Sequence, residues 1–365
     1  MSTLFHIFNS IQNTLFPWLE EALDPLSEKE QKFVQVLSVM DLETHMKAYR
    51  WKGKGRKRKN RIRMAKDFVA KAIYNFETTD ILIDYLRGCK NTRRLCGWEN
   101  PWQVPSKSTF SRAFAQFSEG NLTQDIHQAM VKEHCGEKLA GHISRDSTAI
   151  AAREKPAKKK SDDSVAQPKR KPGRPRKGEV VAPKPPKRLD LQPTRSLEDN
   201  LKDLPTQCDV GTKKNSKGYK ESWTGYKLHL DCIDGDIPVS TILTSASLHD
   251  SQAAIPLSQM SQERITNLYD LMDSAYDAPQ IHSFSKNLGH KPIIDHNPRR
   301  GEKIYMDPAT KARFAQRSSA ERVNSYLKDK YGGRNVRVKG AAKVMTHLMF
   351  GIIAITATQL FRLLE

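Results

Sequence analysis

"FAQRSSAERVNSYLKDK" occupies residues 314–330. Wound at 3.6 residues per turn, it gathers Ala320, Val323, Tyr326 and Leu327 on one side, an apolar stripe for a core. Arg317, Glu321 and Lys328 fall within about 40° of one another on the other side. Many helices carry such charges as a solvated, ion-paired surface. Here the order argues against mere helix support, because Arg four residues before Glu is the weaker orientation of such a pair. A lone acid between two bases asks for partners elsewhere in the chain.

The segments around this helix supply candidates. From residue 218 the pattern reads strand, strand, helix, strand, strand, helix. "GYKLHLDCI" alternates apolar and polar residues, "DG" at 234–235 marks a hairpin turn, and "DIPVSTILTSAS" returns. "HDSQAAIPLSQMSQ" reads as a capped helix, "ITNLYDLMD" and "KPIID" as short strands, and "GHISRDSTAI" as the missing first strand. Asp146 lies in or at the end of that first strand, and Asp273 ends the fourth. Function in open sheets concentrates where the chain leaves the C-terminal strand ends. Three carboxylates brought together raise one another's pKa unless a cation is present. Two divalent ions roughly 3.5–4 Å apart resolve the conflict and serve attack at phosphorus. Oxygen ligands favour Mg²⁺, with Mn²⁺ as a substitute.

Composition points the same way. The 365 residues carry 61 Lys and Arg against 41 Asp and Glu, a net charge of +20, which asks for a polyanionic partner such as nucleic acid. The charge is concentrated. Residues 47–66 hold 11 bases and no acid, and residues 153–188 hold 14 bases against 4 acids. The second run is rich in Pro and Lys with almost nothing to bury, so a disordered insertion is expected over 153–215. Within it "KRKPGRPRKG" (169–178) resembles an AT-hook, which would place Arg174 and Arg176 in a narrow minor groove. A plain polycationic tether explains that segment equally well.

Residues 1–140 read as an all-helical domain, with helices in "EKEQKFVQVLSVMDLETHMKAY", "MAKDFVAKAIYNF", "TTDILIDYLRGC" and "SKSTFSRAFAQFSEG". A DNA-binding helix-turn-helix arrangement and a plain bundle both fit. The five cysteines have neither CxxC pairing nor zinc spacing and read as reduced thiols. The opening residues lack the basic stretch and cleavage site of a signal peptide. The apolar tail "VMTHLMFGIIAITATQLFRLL" has too short an unbroken core to cross a bilayer, so a buried helix is expected.

The order of acids, Asp on strand one, Asp after strand four and Glu on a late helix, resembles the RNase H-like fold. The motifs resemble the DDE transposases of bacterial insertion sequences, in the insertion-sequence group four/five superfamily. Their third acid lies in Y-x2-R-x3-E-x6-K; this chain reads Phe314-x2-Arg317-x3-Glu321-x6-Lys328. "DSAYD" (273–277) matches the word around the second acid, and "DST" (146–148) the first. Asp270 and Asp277 compete with Asp273, which is preferred because Asp270 sits inside the strand and Asp277 beyond its end.

The resemblance implies an α/β chain: a mixed-sheet RNase H-like core over 141–365, interrupted at 153–215, behind the helical domain of 1–140. It implies that Asp146, Asp273 and Glu321 bind two Mg²⁺ ions and catalyse strand cleavage and transfer. Arg317, Lys328 and Tyr276 would contact DNA phosphates. The partners would be terminal inverted repeats and target DNA, bound by a homodimer in the cytoplasm at the nucleoid. An inactive transposase-derived DNA-binding protein and an RNase H-like nuclease are the alternatives.

Overall fold

The structure is a computed structural model. It describes residues 2–364 apart from 52, 54, 56–57, 158–185, 215–216 and 300. The AT-hook-like segment, with Arg174 and Arg176, lies outside the described residues.

The N-terminal part is helical throughout. α1 (Ser2–Ser10) runs through a π-helical turn into α2 (Phe16–Ala22), followed by α3 (Glu28–Val39) and α4 (Leu42–His45). Then come α5 (Arg61–Ile73), α6 (Thr79–Gly88), α7 (Lys90–Leu95), α8 (Lys107–Glu119) and α9 (Leu122–Cys135). Their starts are written in the sequence. Ser27 and Glu30 form a reciprocal capping box on α3, while Asn60 caps α5 and Thr78 caps α6. Asp41, in the left-handed region at φ 38°, separates α3 from α4 within a stretch whose spacing predicts one helix. On α5, Met64, Ala65, Phe68, Val69 and Ala72 recur at helical spacing and are buried. Phe68 meets Phe110, Phe114 and Phe117 of α8 edge-on.

The sheet begins at β1 (Leu139–Ala151). After the basic segment come α10 (Arg188–Leu191), α11 (Leu197–Asp203), β2 (Asp209–Lys214), β3 (Lys220–Ile233) and β4 (Ile237–Ser245). They are followed by α12 (Ser251–Gln262), β5 (Thr266–Met272), α13 (Pro279–Asn287) and β6 (Lys291–Ile294). The strand order is β2-β3-β1-β5-β6, with β4 also on β3. β3 is antiparallel to β1, β2 and β4, and β5 is parallel to β1 and β6. This mixed sheet, with β1 at its centre, is consistent with an RNase H-like core. Gly225 allows β3 to pass close to β1: a Cβ there would lie 2.2 Å from the Ile150 carbonyl oxygen.

Residues 188–214, expected within a disordered insertion, instead form α10, α11 and β2. Leu201 and Leu204 pack with Leu257 of α12 and Asn200 hydrogen-bonds Gln259 at 2.9 Å, contacts that the basic, Pro-rich composition of 153–188 does not foreshadow.

The chain closes with α14 (Pro308–Phe314), a 3₁₀ turn at Ala315–Arg317, α15 (Ser318–Lys330) and α16 (Ala341–Arg362). α16 is the one described helix long and apolar enough to cross a membrane, yet its apolar window is 89% buried within the fold. It packs against α3, α5, α8 and α9 on one side and β4 and α15 on the other, so helical part and sheet share one core. Gly351 sets how closely α15 approaches. A Cβ there would sit 2.6 Å from the Tyr331 carbonyl oxygen and 2.8 Å from Leu327 Cδ1. Gly351→Val should therefore destabilise the fold by about 1–3 kcal/mol or more through overpacking, read as a lower urea midpoint at unchanged slope. An unchanged midpoint would mean that α15 and α16 are free to separate.

Candidate active site

The sheet register creates the site. β1 and β5 run parallel with Ser144 opposite Leu271. Extending that register by two residues sets Asp146 beside Asp273, on strands about 4.8 Å apart. Side chains alternate along β1. Arg145 points to the face covered by α12, where it forms a two-pronged pair with Asp231 at 2.7 Å per contact; Ser261 also donates to Asp231. Ser144 and Asp146 point to the opposite face. The Ser144 hydroxyl donates to the Gln316 carbonyl oxygen at 3.0 Å, and Asn324 of α15 donates its amide to Asp146 Oδ2 at 3.0 Å.

Asp273 follows β5 and caps the 3₁₀ turn Ser274–Tyr276, accepting from the Ala275 amide at 2.9 Å. Its rivals are committed elsewhere. Asp270 is buried with Ser285, His290 and Asn267, and the His290 hydrogen bond and Arg145 hold its pKa down despite burial. Asp277 accepts from His282 at 3.0 Å and from the Asn297 amide at 2.9 Å.

Burial raises both aspartates, and Asp273 adds to the rise of Asp146. Burial pushes the Asp146 carboxyl up to about 6; Asp273 adds to the rise, while the Ser147 amide, Arg317 and Asn324 oppose it. Burial likewise raises Asp273, with Asp250 and Asp295 adding, against the Ala275 amide and Arg317. Arg317 thus acts on both acids, and its guanidinium is hydrogen-bonded to Glu321. Its position lies over the Phe314 ring, 5.7 Å from the centroid, a contact that a tyrosine ring in the family pattern would make equally well. Lys328 is half-buried, its pKa lowered chiefly by burial and then by Lys213 and Arg334, while Asp146 pulls it back up.

Asp146 and Asp273 stand side by side, whereas Glu321, half-exposed in the first turn of α15, is turned to Arg317 and not to the aspartates. Among the described residues no three His, Cys, Asp or Glu side chains stand close enough to hold a metal ion. Clustered carboxylates need a countercharge, and Arg317 supplies it. Tyr276, expected at a phosphate, is 1% exposed, and its hydroxyl has no hydrogen-bond partner. Burial first, then Asp250, Asp146 and Asp273, raise its pKa and keep the proton on. Asn324 was missed from sequence, although its place three residues after Glu321 puts it on the next turn of the same helix.

Two family models match the chain. A family model described as transposase DDE domain matches residues 180–357, and a second, described as transposase domain (DUF772), matches residues 21–116. This chain belongs to the DDE transposases. No curated protein and no solved structure matches it significantly. The first match spans Asp273, Arg317, Glu321 and Lys328, but β1 and Asp146 fall between the two. In this transposase Asp146 remains the candidate first acid on its register beside Asp273, its hydrogen bond to Asn324 and its raised pKa.

A carboxyl retained as acid in the fold up to about pH 6, against 3.8 in the unfolded chain, costs stability as pH rises through that window. Asp146→Asn should remove the cost. With a chelator present, the variant should be more stable than wild type above pH 6 by on the order of 1–3 kcal/mol, the gap closing below about pH 4. A gap independent of pH, measured by urea unfolding, would contradict the buried pairing.

Proposed function

We propose that this transposase binds the terminal inverted repeats of its element as a dimer and catalyses cleavage and transfer of their strands into target DNA. The juxtaposition of Asp146 and Asp273, two desolvated oxygen donors under one guanidinium, carries the reading. Such a donor set fits a hard divalent cation, Mg²⁺ with Mn²⁺ as substitute. Asp146, Asp273 and Glu321 would hold the ions. Bound there, two divalent ions supply an activated water or 3′-hydroxyl and charge stabilisation for the departing 3′-oxygen.

The chain's own side chains do the rest. Arg317 is the movable part: releasing Glu321 frees its planar fork for a DNA phosphate, which it can grip with two parallel hydrogen bonds. Lys328, seven residues further along the same face, adds a point charge to the same strand. Asn324 fixes the orientation of Asp146 from behind. Arg174 and Arg176 would add salt-sensitive affinity of the kind any cationic tether gives. The basic balance of the whole chain serves the same partner.

Incubation with labelled DNA from the ends of the element, a target duplex and Mg²⁺ distinguishes three outcomes. Joined product supports the proposal, cleavage alone points to a nuclease, and salt-sensitive binding without chemistry points to a DNA-binding relic. Asp146→Ala and Glu321→Gln should abolish chemistry and spare most binding. Asn324→Ala should slow it about 10- to 100-fold, as removal of a supporting hydrogen bond behind a metal ligand does. Full activity in either acid variant would place the site elsewhere.

A further inference from the structure

A second basic feature lies away from the acids. A cleft of ≈ 660 Å³ opens on the seam between the helical part and the sheet. Its floor is apolar, from Phe68, Phe110, Phe114 and Phe350. Its walls hold six cationic side chains: Lys71, Lys107, Arg153, Arg337, Lys339 and Lys343. Two acids face them, and both are engaged, Glu77 with Arg337 at 3.0 Å and Asp80 with Lys107. Arg153, Lys339 and Lys343 are exposed and have no acidic partner among the described residues. Six cations against two acids, with both acids already matched, leave an unmet demand for anions.

Burial acts on two groups at the floor. Lys71 is lowered to about 8 by burial, with Glu77 opposing. His347 is lowered to about 4 by burial and then by Lys71.

The elements that carry the acids lead to this place. β1 runs from Asp146 through Ala151 to Arg153, and α15 runs from Glu321 past Lys328 to the turn at Gly332 on the cleft wall. At about 3.3 Å per residue along the strand and 1.5 Å along the helix, the cleft begins roughly 15–25 Å from the acids. At 3.4 Å per nucleotide of one strand that is about five to seven phosphates. Lys328 lies between the two sites.

We infer that this cleft is a backbone clamp for the duplex on which the acids act, holding phosphates about five to seven nucleotides from the scissile one through Arg153, Lys339 and Lys343. It deepens, and rests on, the reading of the chain as an enzyme of DNA ends. The clamp reads charge and not sequence, since lysines on phosphate carry no base information. Its three free cations all come from the sheet-bearing part, and the helical part faces them across the cleft with Lys71 and Lys107.

The test is fluorescence anisotropy of full-length protein on an end duplex in chelator, with salt varied from 50 to 200 mM. Arg153→Ala, Lys339→Ala and Lys343→Ala combined should lower the slope of log affinity on log salt by about 2–3, near one per lost phosphate contact. An unchanged melting temperature would show that these exposed substitutions leave the fold intact; Arg153→Ala alone, lowering the slope by about 1, serves if the triple variant fails to fold. Neutral methylphosphonates at the fifth to seventh positions should weaken wild type and leave the variant unaffected. A slope equal to wild type, or methylphosphonate sensitivity retained by the variant, overturns the clamp while leaving the acids' role standing. Wild type that binds no duplex at all overturns both.

Discussion

Two desolvated carboxylates on neighbouring parallel strands cannot both carry charge without a cation at hand. That constraint organises this molecule. The register of β1 on β5 sets Asp146 against Asp273; burial raises both, Asp273 adding to the rise of Asp146 and Asp250 and Asp295 to that of Asp273. Everything around them reads as an answer to the conflict. Arg317 lies close enough to lower both, Asn324 shares one oxygen, and the Ala275 amide takes another. Glu321 joins the same guanidinium and not the aspartates, because one cationic side chain is the countercharge that all three acids share.

The opposite face of the sheet shows what an acid looks like when its charge is matched for good. Asp231 is fully buried, yet it receives two prongs from Arg145 and a hydroxyl from Ser261. Asp270 has Ser285, His290 and Asn267. Such buried pairs hold geometry more than they add stability. Here they fix β1, β3 and β5 in register directly behind the site, while α16 fastens the helical part in front. One strand thus carries a structural ion in Arg145 and a chemical one in Asp146, separated only by the alternation of the pleat.

Much of this was legible in the sequence. Alternation gave the position of β3, the Asp234-Gly235 turn that of β4, "GHISRDSTAI" read as the strand that is β1, and the Arg317, Glu321 and Lys328 stripe lies on the non-core face of a helix as the spacing predicts. Other parts were hidden for physical reasons. α13 was missed because "PQIHSFSKN" has few apolar residues and is held by packing on α12 and β6. The helix expected over 314–330 becomes regular only from Ser318, after a 3₁₀ turn at Ala315–Arg317, where the Gln316 carbonyl accepts from Ser144 of β1, a contact no local pattern contains. The order of 188–214 came from a few leucines and one asparagine meeting α12. Which side chain faces Glu321 depends on the balance among charges, and spacing alone does not report that balance.

The most direct measurement is the anomalous diffraction of Mn²⁺ in crystals of the protein bound to an end duplex. The account predicts manganese held by the carboxylates of Asp146, Asp273 and Glu321, with the Arg317 guanidinium moved onto a phosphate. Manganese bound at other residues, with Asp146 still held only by Asn324 and Arg317 still on Glu321, would contradict it.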